Sequence, residues 1–267
     1  MPLAVCATPI GNLDDVTLRV LEELREADVV LCEDTRHTRG LLERHGIRAR
    51  LVSYHEHNEA KRTAELLPRL AAGERVALVS DAGLPGISDP GARLVAAAVG
   101  VGIPVTVLPG PSAVETALVA SGMEADRYQF LGFLPRGEKA LIALWEELAS
   151  WPYPAVAFES PQRLPATLLS LARVQPTRAV AVCRELTKRF EEVVRGSAAE
   201  LAERFVEPVK GEVTLVLGPG KPAAVDVEAA VTAVAQLVAA GASRRRAAEV
   251  VARLSGVSRN ELYRRTL

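Results

Sequence analysis

At 267 residues the chain has room for one large or two modest domains, and its 49% hydrophobic and 24% charged content supplies a core and excludes global disorder. A net charge of −1 excludes a chain that binds polyanions over its whole surface, and no apolar run reaches the length of a membrane span. No basic stretch precedes Leu3, so no signal peptide is expected, and Cys6, Cys32 and Cys183, far apart in apolar runs, are expected as buried reduced thiols of a cytoplasmic protein.

The first part alternates strand and helix. Leu3–Ala7 is a short apolar run followed by a Pro/Gly/Asn/Asp loop, Pro9–Asp15. Thr17 is placed to cap a helix whose apolar face is Leu18, Val20, Leu21 and Leu24. Asp28–Cys32 is a second strand and Glu33–His37 a polar loop; a helix then runs to Arg44 and stops at Gly46. Arg50–Ser53 is a third strand, and Asn58 can cap a helix carrying Leu66, Leu67 and Leu70. Arg75–Val79 is the fourth strand. It feeds Ser80–Gly91, S-D-A-G-L-P-G-I-S-D-P-G, whose Gly, Pro and Asp content fits neither helix nor strand, and whose Asp81 and Asp89 can accept from a ligand's amine or hydroxyl or else cap their own loop. Gly91–Val101 is helical, Pro104–Leu108 is a fifth strand, and Pro109-Gly110-Pro111 turns into a helix from Ser112. This order predicts an α/β fold with a mainly parallel sheet, and ligands bind at the carboxyl ends of such strands.

The second part reads as Tyr128–Leu131, Tyr153–Phe158, Arg178–Cys183, Lys188–Val194 and Glu212–Leu217 strands, with helices over Glu138–Ala149, Pro161–Ala172 and Ala198–Phe205. The close spacing of the third and fourth of these strands predicts a hairpin and a mixed sheet. A boundary is expected near 115–125, and Gly218–Pro222 reads as a linker. From Gly241 to Leu267 there are seven Arg against two Glu, a net of +5, which leaves −6 for the rest. Ser243–Leu254 is amphipathic with Ala247, Val250, Val251 and Leu254 on one side; Gly256 breaks it, and Ser258 can cap a second helix with Leu262 and Tyr263. Helix, Gly turn and Arg-rich helix resemble a helix-turn-helix, so Arg244, Arg245, Arg246 and Arg259 are candidates for nucleic-acid phosphates, or else a solvated basic helix pair.

Taken in order, the loops spell Thr8-Pro9-Ile10-Gly11-Asn12-Leu13, Glu33-Asp34-Thr35-Arg36-His37-Thr38, His55-Glu56-His57-Asn58, Ser80–Gly91, Leu108-Pro109-Gly110-Pro111-Ser112-Ala113, Gly132-Phe133-Leu134-Pro135-Arg136, Phe158-Glu159-Ser160-Pro161, Arg184-Glu185-Leu186-Thr187-Lys188 and Lys210-Gly211-Glu212. This ordered set resembles the rRNA-modifying branch of the tetrapyrrole methylase superfamily, over residues 3 to about 217. The resemblance implies two α/β domains, 1–117 and 118–219, with S-adenosylmethionine in the cleft between them, followed by a basic helical tail, 226–267, and it implies a homodimer. It implies methyl transfer to a cytidine 2′-hydroxyl in the decoding region of small-subunit rRNA, either bare or in the assembled subunit. Thr8–Asn12 stands where the wider superfamily carries Gly-x-Gly-Pro-Gly, which favours the rRNA branch over tetrapyrrole methylases. Arg136-Gly137-Glu138-Lys139 is poorer in Lys than that branch, and Gln162 stands where His is common.

Carried over by position, the resemblance gives Pro9, Asp81, Ala82, Gly83, Ile87, Ser88, Ser112, Ala113, Phe158, Glu159, Gly211 and Glu212 as cofactor residues, and Arg136 as an RNA contact. For the chemistry, Asp34 and His37 follow the second strand at the ligand-binding end, and Arg36 can hold a phosphate or pair locally with Asp34. His55 and Glu56, with His57, are the second candidates for proton transfer. Two imidazoles without a third ligand make a poor metal site, so no metal is expected. No aromatic stacking platform is evident. The alternatives are a same-fold methylase acting on a tetrapyrrole or a modified protein residue, and a nucleic-acid-binding cofactor sensor without turnover.

Overall fold

The computed structural model describes residues 2–220 and 227–267. Five strands, β1 (Leu3–Cys6), β2 (Val29–Cys32), β3 (Leu51–Ser53), β4 (Val76–Leu78) and β5 (Val105–Leu108), form a parallel sheet in the order β3-β2-β4-β1-β5. The strands are apolar on both sides because both faces are covered. Leu3, Val5, Val29, Leu31, Val76 and Leu78 meet helices α3 (Glu59–Ala71) and α4 (Ala92–Gly100). The alternate residues Ala4, Cys6, Val30, Cys32 and Ala77 meet α1 (Leu18–Glu26) and α2 (Thr35–Arg44).

A second sheet, β6 (Gln129–Phe133), β7 (Ala155–Glu159), β8 (Ala179–Arg184), β9 (Glu192–Ser197) and β10 (Val213–Leu217), runs β6-β7-β10-β8-β9, parallel only between β6 and β7. Helices α6 (Glu138–Leu148), α7 (Leu164–Val174) and α8 (Ala198–Arg204) cover one face around the fully buried Trp145, whose Nε1–H donates to Ser170 Oγ at 3.2 Å. The other face is covered by a helix that precedes the sheet in sequence. That helix, α5 (Ala113–Ser121), sets Val114, Ala117 and Leu118 against Val156, Ala181, Cys183 and Val216, together with Ile10 and Leu186. The division expected at 117/118 falls inside this helix.

The tail folds as α9 (Val227–Ala239), α10 (Arg244–Ser255) and α11 (Arg259–Arg265) around a separate core of Ala230, Val234, Ala247, Ala248, Val251, Val257 and Leu262. Ser243 caps α10 and Gly256 ends it in the left-handed region, as expected. Residues 221–226 lie outside the described residues, which removes Lys221 and Pro222 of the expected linker and the first residue of the expected tail. Gly218 and Gly220 stay on the body, donating to Ala179 O and Trp151 O.

Four local expectations are corrected. Leu18 is 78% exposed, and the buried face of α1 is Val20, Leu21 and Leu24. Residues 35–37 are helical, because the Asp34 side chain accepts from Arg36 N and caps α2. The strand expected at Lys188–Val194 begins only at Glu192, since the preceding residues close turns, Lys188 N donating to Glu185 O at 3.0 Å and Glu191 N to Lys188 O at 3.1 Å. In α10 the buried residues are Ala247, Ala248 and Val251, while Leu254 is 81% exposed.

Leu168 is fully buried at the centre of the second core. Leu168→Ala is expected to cost about 2–5 kcal/mol of stability, read as a lowered urea midpoint at unchanged slope.

Candidate active site

The loops at the carboxyl ends of β1 and β4 are joined to each other. Thr8 N donates to Gly83 O at 2.8 Å and Gly83 N to Thr8 O at 3.1 Å, an isolated antiparallel bridge between loops that follow parallel strands. The Thr8 hydroxyl donates to Ser80 O at 3.0 Å, and the Ser80 hydroxyl to Gly83 O at 3.2 Å. Gly83 sits at φ +80°, a conformation that an L side chain rarely adopts. This holds residues 81–89 against the second sheet.

Between them lies a cavity of about 400 Å³, within the size range of small-molecule sites. Its walls come from the loops after β1, β4 and β5, the N-terminus of α5, the ends of β6, β7 and β8, and the start of β10. Eleven of the twelve residues expected to hold a cofactor line it: Asp81, Ala82, Gly83, Ile87, Ser88, Ser112, Ala113, Phe158, Glu159, Gly211 and Glu212. Pro9 does not; it is buried, and its neighbour Ile10 reaches the cavity instead.

The lining is mixed in character. Gly211 has φ +90°, and a Cβ there would overlap the Glu185 side chain. The Glu159 side chain has no exposure; it accepts from Ser160 N at 2.6 Å and from the Thr167 hydroxyl at 2.5 Å, and it pairs with Arg163 at 3.3 Å. Its carboxylate is thus a structural anchor under the wall. Glu212 is exposed and pairs with Lys188 at 3.0 Å. Asp81 accepts from Asp34 N at 3.1 Å. No side chain caps α5, and the Ser112 hydroxyl donates to Glu115.

Asp89 lines it as well, and so do residues not singled out for the site beforehand, among them Leu84, Phe133, Cys183 and Leu186. Phe133 is 65% exposed and packs edge-on to Phe158 at 5.5 Å, and Phe130 meets the same ring at 5.0 Å. The signal was Gly132, at φ +66°, which sits where the β6–β7 register shifts between Phe130 and Phe133. Cys183 is buried and donates to Ala117 O at 3.7 Å; burial pushes its thiol up to about 11, so it stays protonated. All three cysteines are free and buried.

None of the residues expected to carry the chemistry lines the cavity. Asp34 caps α2 and receives Arg36 Nε and Nη2, the latter at 2.6 Å, so hydrogen bonds from Arg36 hold its carboxyl well below the usual carboxylate range. The local ion pair, one of the two readings open for Arg36, is the arrangement observed. His37 is exposed on the first turn of α2. His55 Nε2 meets the Asn58 amide at 3.0 Å, its Nδ1 is buried without a partner, and Glu56 and His57 are exposed. Among the RNA candidates, Arg136, Arg245, Arg246 and Arg259 are exposed and Arg244 is half-buried; Arg246 pairs with Glu249 at 3.3 Å.

Glu159→Ala leaves Thr167 and Arg163 without their buried partner. It is expected to destabilise the protein by about 3–5 kcal/mol, read as a lowered melting temperature. Destabilisation below about 0.5 kcal/mol would show that the carboxylate does not anchor this wall.

The family model described as Tetrapyrrole (Corrin/Porphyrin) Methylases matches residues 2–202. The chain is 46% identical over 265 residues to Ribosomal RNA small subunit methyltransferase I of Micromonospora olivasterospora, covering 98% of this chain and 85% of that one. It is 44% identical over 216 residues to the protein of the same name in Thermotoga maritima, covering 80% and 97%. Among solved structures, uroporphyrin-III C-methyl transferase from Thermus thermophilus complexed with S-adenyl homocysteine superposes with a TM-score of 0.56 at 22% identity, over 81% of this chain and 96% of that one.

Proposed function

Because the chain belongs to the tetrapyrrole methylase family, and within it to the ribosomal RNA small subunit methyltransferase I family, we propose that it methylates the ribose 2′-hydroxyl of a cytidine in the decoding region of small-subunit rRNA. It is an S-adenosylmethionine-dependent methyltransferase. The observation that carries the reading is that cofactor candidates from both sheets surround one cavity.

The cavity suits the methyl donor. Ile10, Leu84, Val114 and Leu186 provide apolar walls, Asp81 and Ser112 provide polar ends, and the missing Cβ of Gly83 leaves backbone open between Ile10 and Pro111. When bound, the donor supplies an electrophilic methyl carbon on a positive sulfur. The protein's own task is to align the ribose oxygen with that carbon, exclude water and accept a proton. Phe133 at the mouth offers a face on which the target base can stack once it is turned out of the RNA.

RNA outside the cleft is met by Arg136 and by the tail, either as bare rRNA or in the assembled subunit, and the enzyme works in the cytoplasm as a homodimer. The tail's charge supports this reading. Arg244, Arg245 and Arg246 occupy the first turn of α10, where the helix dipole disfavours cations. A placement that costs helix stability is accounted for by binding to phosphates.

Small ribosomal subunits lacking the modification, incubated with the protein and labelled methyl donor, are expected to carry a single labelled 2′-O-methylcytidine, identified by mass spectrometry. A labelled base, or no transfer while the donor still binds, would overturn the assignment. Deleting 227–267 is expected to leave affinity for S-adenosylhomocysteine unchanged and to weaken RNA binding. The slope of log K against log salt should become shallower by roughly 0.7–0.9 for each phosphate that the tail neutralises in the full chain. An unaltered slope would make the tail structural.

A further inference from the structure

The loop that joins β8 to β9 stands against the loop after β1, and the two enclose a second groove, of about 550 Å³. Residues 11–14 and Arg44 line it on one side and residues 187–189 on the other. Ile10 and Leu186, one residue inward on each loop, line the first cavity instead, so cavity and groove lie on either side of one partition.

The charges of the groove are matched except at one place. Asp14, its one lining carboxylate among the described residues, is held by Arg44 through hydrogen bonds of 3.0 and 2.8 Å. Lys188 pairs with Glu185 and with Glu212, each at 3.0 Å. Arg189 pairs with no carboxylate among the described residues; its guanidinium carbon lies over the Phe190 ring, 5.5 Å from the centroid. That ring is 66% exposed. A large aromatic side chain and an unmatched cation thus share the tip of one loop, both in water.

The tip is held in place from behind. Thr187 N donates to the Glu191 carboxylate at 2.6 Å, and the Thr187 hydroxyl accepts from Asn12 N at 3.0 Å. Glu185 and Thr187 sit at φ 53° and 63°, conformations that persist for residues with side chains only where the surroundings fix them. Arg189 and Phe190 are therefore presented on a backbone that has little freedom left to lose on binding.

We propose that this groove holds single-stranded RNA beside the target nucleotide, with a base stacked on Phe190 and a phosphate on Arg189, an inference that rests on the rRNA reading above. Every base has a face that can stack on an exposed ring, and a guanidinium without a carboxylate is free to take a phosphate. The pair therefore fits a single strand without reading its sequence. Arg44 neutralises the one carboxylate in the lining that would repel such a strand. Lys188 ties the groove to the methyl-transfer cavity, because it lines the groove and its partner Glu212 lines the cavity. This hold on RNA belongs to the body of the protein and is additional to the tail.

Five full-length proteins test the proposal: wild type, Phe190→Ala, Phe190→Trp, Arg189→Ala and Arg189→Lys. Each is measured for binding of a short fluorescein-labelled single-stranded RNA against salt, for sedimentation, for calorimetric affinity for S-adenosylhomocysteine, and for methyl transfer to small subunits lacking the modification. Phe190→Ala is expected to weaken RNA binding by about 5–150-fold, the loss of one base stack. Phe190→Trp should keep the affinity, and its added indole fluorescence should be quenched when unlabelled RNA binds. Arg189→Ala should make the slope of log K against log salt shallower by about 0.7, and Arg189→Lys should keep the slope. Affinity for S-adenosylhomocysteine should be unchanged throughout. If the wild type methylates small subunits while Phe190→Ala and Arg189→Ala leave RNA affinity and slope unaltered, the groove assignment falls and the rRNA reading stands. If Phe190→Ala instead turns dimers into monomers at unaltered RNA affinity, the face covers a second copy of the chain and the assignment also falls. If the wild type transfers nothing to rRNA, the rRNA reading falls and takes the groove with it.

Discussion

The Thr8–Gly83 bridge is the constraint on which the rest of the site depends. Parallel neighbours such as β1 and β4 end at the same edge of the sheet, and nothing in the sheet itself dictates where their loops go next. Two backbone hydrogen bonds, backed by the hydroxyls of Thr8 and Ser80, turn those loops toward one another. All of these groups are buried, so each bond satisfies a donor or acceptor that would be costly to leave unpaired. The bridge needs a residue that tolerates φ +80° at position 83. That residue then carries the loop to Asp89 on one side, while Ile10, beyond Thr8, supplies the opposite wall.

The second constraint is α5. A helix that follows the fifth strand of one sheet buries its apolar face on the other sheet, so the two halves share a core instead of touching through a polar seam. Ile10 and Leu186 join that core from the two flanking loops. Gly11 is packed so closely on Leu186–Lys188 that a Cβ there would overlap them, and Asn12 N donates to the Thr187 hydroxyl at 3.0 Å. The left-handed residues Glu185 and Thr187 shape the loop that makes this approach. Cleft width is thereby set by dense packing, which resists deformation more than a wet interface does.

The alternation of apolar runs and Gly-rich loops made the parallel sheet legible, because strands covered on both faces leave a signal that depends on composition alone. The loops that line the cavity carry their own mark at Gly83, whose φ of +80° suits glycine, while Gly211 entered only through the family resemblance. What failed was long-range geometry. Nothing local in Glu33–His37 says whether Asp34 faces a ligand or caps the next helix, and the cap, with a bidentate Arg36, is what formed. Phe133 reads as a loop residue past Tyr128–Leu131, whereas it ends β6 beyond the register shift at Gly132. Asp81 and Asp89 were legible as acceptors on one loop, but not that Asp81 accepts from Asp34 N while Asp89 keeps a hydrogen bond with Ser80.

On the proposed reading, one protein must serve two ligands of opposite charge. Asp81 and Asp89 line the cleft, Asp81 and Glu33 disfavour ionisation of Asp89, and a cationic donor relieves that repulsion. The same carboxylates would repel a phosphate backbone, and the part of the chain that carries them is acidic. The excess of Arg is confined to the separately packed tail. Keeping the positive charge on another unit leaves the field at the methyl-transfer site acidic. At physiological salt, charges more than about 8 Å apart at the surface are largely screened from each other, so a tail that reaches RNA beyond the cleft does not cancel the potential within it.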